Sequence, residues 1–164
     1  MKINICTVKK NRGECIEFSF SMPVHDVLPS DLAQDFWGEI KVDGTVTNVG
    51  TGLLVKAFLH AKVKDFCARC LEELSKDIDV EFSEEYFLPG DGGEEEFLKC
   101  EGDFLDIKEL VAEIVLAEKP VKSLCRDDCQ GLCPVCGQNL NEKLCSCDRQ
   151  SIDPRLEKLK NYIN

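Results

Sequence analysis

Residues 125–147 read CRDDCQGLCPVCGQNLNEKLCSC and carry six of the eleven cysteines in the chain. Thiols at two- and three-residue intervals, with turn-forming residues between them, suit a small closed metal site better than a hydrophobic core. Four thiolates around one zinc make a tetrahedral site whose binding free energy is also folding free energy. Cys133-Pro-Val-Cys136-Gly137 is the sharpest piece. Its proline sets a turn, and its glycine lets the backbone bend so that both sulfurs face one ion. Cys145-Ser-Cys147 supplies the other two ligands after a loop holding Asn139, Asn141 and Glu142. Only short polar residues lie between the pairs, so the lobe has little core of its own without a metal. The expected cofactor is a structural zinc. Disulfides and buried thiols are the alternatives, and six cysteines this close together fit simple burial poorly.

Cys125-x3-Cys129 has two readings. It replaces one pair in that site, or it joins a distant pair to complete a second one, and cysteine counting does not choose between them. The distant pair is Cys67-Ala-Arg-Cys70. As a redox motif it would need a βαβ setting, but Leu-Glu-Glu-Leu and then a strand follow it. It reads instead as a knuckle at the end of a hairpin, binding metal with Cys125 and Cys129 or existing as two thiols. Cys6, Cys15 and Cys100 are isolated and read as apolar fillers.

Working outward, 164 residues make one ordinary domain with a small appended lobe. The division expected is 1–118, an antiparallel domain with a packing helix, and 119–164, the cysteine lobe with a C-terminal helix. Cys15 to Met22 alternates with period two, and with Ile3 to Val8 it suggests a hairpin turning at Lys9–Gly13. Residues 23–36 read as a loop with a short helical turn. Strands from Trp37 to Val49 and through Val55, Ala57, Leu59, Ala61 and Val63 follow, joined by a glycine-rich turn at 48–52. A return strand carries Ile78, Val80 and Phe82 with acids between. The pattern buries one face and wets the other. Residues 89–96 read as a loop. Asp106, with Glu109 in a capping box, is expected to open a helix whose stripe is Ile107, Leu110, Val111, Ile114 and Val115, ending at Pro120. Asp153-Pro154 opens the last helix.

The net charge of −11 argues at first against nucleic acid, but it is uneven. Residues 72–118 hold three basic residues against seventeen acidic ones, while the segments on either side come to +1 and +2. Cations outnumber acids locally in two places. One is the hairpin face with Lys56, Lys62, Lys64 and Arg69, and the other is the cysteine lobe with its helix. No apolar run is long enough for a signal peptide or a membrane span, so a cytoplasmic protein is expected, where cysteines read as metal ligands before disulfides. There is no phosphate loop, no nucleophile elbow, and no small-molecule substrate in prospect. A site closed by thiolates keeps no coordination position for water, so no enzyme is expected.

Cys67-Ala-Arg-Cys70-Leu71, the acidic strand ending at Phe82, the helix from Asp106 to Leu116, and CQGLCPVCGQNLN…CSC followed by Asp153-Pro154-Arg155 resemble the YceD family of large ribosomal RNA subunit accumulation proteins. The resemblance runs from about residue 40 to the end. It implies a bacterial cytosolic factor for accumulation of 23S ribosomal RNA, and it supplies no catalytic residue. The fold class expected is α+β: an antiparallel sheet or open barrel, one packing helix and a small zinc-binding C-terminal lobe. Under the leading reading the partner is ribosomal RNA or a pre-ribosomal particle. Lys119, Lys122, Arg126, Lys143, Arg149, Arg155, Lys158 and Lys160 are then the phosphate contacts. The alternative is an adaptor whose acidic block binds basic ribosomal proteins or a nuclease.

Overall fold

Four long stretches of alternating residues pair in the order they occur. In the computed structural model, which describes residues 1–87 and 102–148, they form one sheet of β2 (Cys15–Pro23), β3 (Phe36–Asn48), β4 (Gly52–Phe66) and β5 (Glu73–Phe87). β2 pairs antiparallel with β3, Phe20 opposite Val42, and β3 with β4, Val46 opposite Val55. Period-two burial follows. Ile40, Val42, Val46, Val55, Leu59, Ala61 and Val63 point inward, while Lys41, Lys56 and Lys62 point out. The sheet is open rather than a barrel, with β2 and β5 as its edges.

The first residues depart from the hairpin expected of them. β1 covers only Lys2–Asn4 and pairs antiparallel with β6 (Phe104–Asp106), not with β2. The apolar pattern at Ile3, Ile5 and Val8 is real, since all three are buried. Its hydrogen bonds go elsewhere. Ile5 N–H donates to the Asp103 carbonyl, Lys9 N–H turns back to Ile5, and the buried Asn48 amide donates to the Val8 carbonyl at 2.8 Å. With these partners taken, β2 is free to pair with β3.

Two short helical turns, α1 (Val24–Val27) and α2 (Ser30–Ala33), link β2 to β3. The longer α3 (Lys108–Ala117) buries Val111 and Val115, which share one core with Val42, Val55 and Leu59. Its N-cap is Ile107 rather than Asp106, and no Glu109 capping box forms. Asp106 acts one step earlier: its Oδ1 accepts from the Lys108 N–H and from the Met1 nitrogen, each at 3.0 Å. Cys15 lies exposed and Cys6 half-buried, so neither fills a core. The loop at 89–96, Cys100 and the helix expected from Asp153 lie outside the described residues.

The chain groups into two compact units. One takes Met1–Asp65 with Ser75–Val121, and the other takes Phe66–Leu74 with Lys122 onward. The sequence reading instead assigns the whole β4–β5 connection to the first 118 residues. Among the described residues no helix is long and apolar enough to cross a membrane.

Candidate metal centres

The second unit is built from two copies of one turn. In the first, the Cys67 N–H donates to the Glu72 carbonyl and the Leu71 N–H donates to the Cys67 carbonyl, both at 2.9 Å. In the second, Cys133 N–H donates to Gln138 at 2.8 Å and Gly137 N–H to Cys133 at 2.9 Å. The residue after each second cysteine is left-handed, Leu71 at φ 62° and Gly137 at φ 75°. Glycine adopts that conformation without steric cost, which is why the second turn was visible in the sequence and the first was less so.

Each turn faces two more cysteines. The sulfurs of Cys67, Cys70, Cys125 and Cys129 form one quartet and those of Cys133, Cys136, Cys145 and Cys147 another, with all sulfurs in a quartet within 4.8 Å of each other. In the first, Cys67 Sγ lies 3.8 Å from Cys129 Sγ, and Cys70 Sγ lies 3.6 Å from Cys125 Sγ. Four sulfurs at the usual zinc–thiolate length stand about 3.8 Å apart along a tetrahedron's edge, whereas a disulfide needs about 2.05 Å. The donor set and its spacing fit a metal of zinc's preference. Cys125 and Cys129 stand with Cys67 and Cys70, and Cys145 and Cys147 complete the Cys133–Cys136 turn.

Several groups hold the first quartet. The Ala68 N–H donates to Ser123 and the Leu132 N–H to Arg69, so the 67–72 loop is bonded on both sides. Arg69 Nη1 donates to the carbonyls of Asp127 (3.0 Å) and Cys129 (2.9 Å). Asn141 Nδ2 donates to Cys129 Sγ at 3.3 Å, and its Oδ1 accepts from the Gln130 N–H and Arg126 Nη2, both at 2.8 Å. Asn139 Nδ2 reaches Glu72 at 2.9 Å. These supporting residues were missed in the sequence, where Asn139 and Asn141 read only as a spacer. A neutral amide inside a cysteine-rich loop was the available signal. Leu74, Leu124 and Leu132 pack on the buried Cys67, Cys70 and Cys129. The second quartet is more open, with Cys133 buried, Cys145 and Cys147 half-buried and Cys136 exposed.

The electrostatics of the two quartets match. The N–H groups of Cys125, Cys70 and Arg69 hold the Cys67 thiol down at about 6, against the opposing effect of burial. The N–H groups of Cys136 and Val135 hold Cys133 at about 6. For Cys129, burial opposes the Asn141 amide and the Gly131 N–H, and the thiol comes out lowered. The Glu72 N–H draws Cys70 down, but burial and the neighbouring thiols outweigh it and push Cys70 up to about 12. The Cys136 thiol, with burial and Cys145, pushes Cys147 up to about 12, and burial raises Cys125. Like charges this close cannot all form by themselves, and a cation between them would let the last sulfurs ionise.

The expected phosphate contacts fare differently. Lys119 pairs with Asp35 in the first unit. Arg126 pairs with Asp128 at 3.4 Å as well as bonding Asn141. Lys122 and Lys143 are exposed. Arg149, Arg155, Lys158 and Lys160 lie outside the described residues.

A family model described as large ribosomal RNA subunit accumulation protein YceD matches residues 55–162, a span that includes every cysteine of both quartets. Uncharacterized proteins of Mycobacterium bovis and Mycobacterium tuberculosis are each 28% identical over 171 residues, covering 97% of this chain and 79% of theirs. An Arabidopsis thaliana protein named large ribosomal RNA subunit accumulation protein YCED homolog 1, chloroplastic, is 35% identical over 49 residues, 30% of this chain and 15% of the relative. No solved structure matches.

Proposed function

Since the chain belongs to the YceD family, we propose that it is a non-enzymatic cytoplasmic factor through which large-subunit (23S) ribosomal RNA accumulates. In this reading two zinc ions, each closed by four thiolates, fix the surface of the second unit. The observation that carries it is that the family match spans both quartets complete. A metal with four protein sulfurs has no place left for a substrate or water, so its contribution is to folding. A reducing cytoplasm keeps such thiols available and is where ribosomal RNA is made.

The test is to deplete the protein in its own organism and measure 23S against 16S ribosomal RNA. The expected result is a fall in 23S that the wild-type gene restores and a gene lacking either quartet does not. An unchanged ratio overturns the reading.

One observation favours a second reading, an adaptor for basic ribosomal proteins. Acids of β5 take up polar groups of β4, with His60 Nδ1 at 2.7 Å from Asp79 and Lys62 Nζ at 3.6 Å from Asp77. An adaptor needs its protein partner to reach the particle, whereas a phosphate binder holds naked ribosomal RNA with a steep salt dependence.

A further inference from the structure

The outward face of the sheet carries the chain's one tryptophan. Trp37 is 49% exposed near the start of β3, directly across from Lys62, and Lys64 Nζ stands 4.0 Å from its ring centroid. Trp37, Glu39 and Lys41 share the exposed side of the strand's alternation, and the strand is irregular beside the tryptophan. Between Trp37 and Lys41 the register with β4 shifts, and Gly38 takes φ 68° within that irregularity. Strand irregularities are over-represented next to functional sites. The position is also fixed: the Lys64 N–H donates to the Asp35 carbonyl at 2.7 Å, pinning the chain just before Trp37.

A large indole therefore stands half-exposed on an open face beside two lysines, one of them over its ring. We infer that Trp37, with Lys62 and Lys64, is a stacking platform for one base of single-stranded RNA, the lysines meeting the adjoining phosphates. Aromatic side chains on an open sheet bind unpaired bases in this way, and duplex bases are not available to them. Two acids share this end of the face. Glu39 is held by the Ser21 hydroxyl at 2.6 Å, and Asp77 makes an exposed pair with Lys62 of the sort that phosphate readily displaces. A second exposed aromatic, on β4, makes the contrast. Phe58, 43% exposed, sits opposite Asp43 and shares a shallow hollow of 520 Å³ with Asp43 and Glu81, a poor place for phosphate. Six residues along β4 from Lys64, it lies roughly 20 Å away.

This platform rests on the ribosomal RNA reading above and names its contact surface. The experiment uses the full, zinc-loaded chain and an oligouridylate of about 12 nucleotides, with an RNA duplex of equal length as control. Binding is followed by anisotropy of labelled RNA and by indole emission, which reports Trp37 alone because there is no other tryptophan. The single strand should quench the indole and the duplex should not. Trp37→Ala should weaken binding about 5- to 150-fold, Trp37→Phe should retain most of the affinity, and Phe58→Ala should change nothing. Lys62→Ala with Lys64→Ala should flatten the salt slope by about 1.4. Indole emission unchanged at saturating RNA, or wild-type affinity in Trp37→Ala, overturns the platform. Should that happen while depletion still lowers 23S, the proposed function stands without it. Should depletion leave 23S unchanged while the indole is quenched, the platform stands and the ribosomal role falls.

Discussion

Leu71 turns its N–H onto the Cys67 carbonyl at 2.9 Å and holds φ at 62°, a conformation that costs an L-residue about 1–2 kcal/mol. Gly137 closes the matching turn without that cost. Because the Leu71 side chain is 64% exposed, it offsets little of the strain by burial. Leu71→Gly should therefore stabilise the metal-loaded protein by about 0.5–1 kcal/mol, once glycine's greater freedom in the unfolded chain is deducted. Denaturant midpoints check it, and a lower midpoint would show that the leucine side chain has a partner.

The two quartets should lose metal separately. Cys70→Ser should leave one zinc, held by Cys133, Cys136, Cys145 and Cys147, and Cys136→Ser should leave one held by the other four. The sheet keeps its own core of Val42, Val55, Leu59 and Val111, so its strand signal in circular dichroism should persist in both variants. Loss of both ions in either variant would mean the sites are one cooperative cluster.

Arg69 should matter to metal before it matters to RNA. One guanidinium nitrogen, Nη1, donates to two carbonyls around Cys129. Arg69→Ala should weaken metal binding at the first quartet about 10-fold, measured by chelator competition, with the second quartet unaffected. Unchanged competition together with weaker RNA binding would make Arg69 an RNA contact rather than a support of the quartet.

What the sequence disclosed divides along physical lines. β2 to β5 were legible because a half-buried strand must alternate, and Val55 through Val63 do so without a break. The α3 stripe was legible for the same kind of reason. β1 was not: three residues carry no period, and their partners lie about a hundred positions away at Leu105 and Asp106. For the metal centres, Cys133-Pro-Val-Cys136-Gly137 announced its turn through Gly137. Cysteine spacing left Cys125 and Cys129 open to either site. The sulfur distances show which pair they face, and the bonds of the 67–72 loop to Ser123, Leu132 and the Cys129 carbonyl hold them there. Trp37 falls with Glu39 and Lys41 on the exposed side of the β3 alternation, but nothing in the residues forecasts the register shift beside it.

Asp106 should give the fold an acid-sensitive link. Partial burial opposes it, but the Met1 ammonium and the Lys108 N–H hold its carboxyl below the ordinary 3.8. A carboxyl lowered in the folded state adds stability that is fully present above its unfolded value and is lost as pH falls through the folded one. Asp106→Asn should cost about 0.5–1 kcal/mol at neutral pH, the group being half-exposed, and that difference should fade as the pH drops through the lowered folded value. A penalty that persists unchanged in acid would place its cause in packing.

The most direct measurement is the metal itself. Protein purified without added metal should carry two zinc ions per chain by elemental analysis, and X-ray absorption should show four sulfurs around each at about 2.3 Å. A well-folded chain with no zinc, or ions bound through oxygen or nitrogen in place of the quartet sulfurs, would contradict the account.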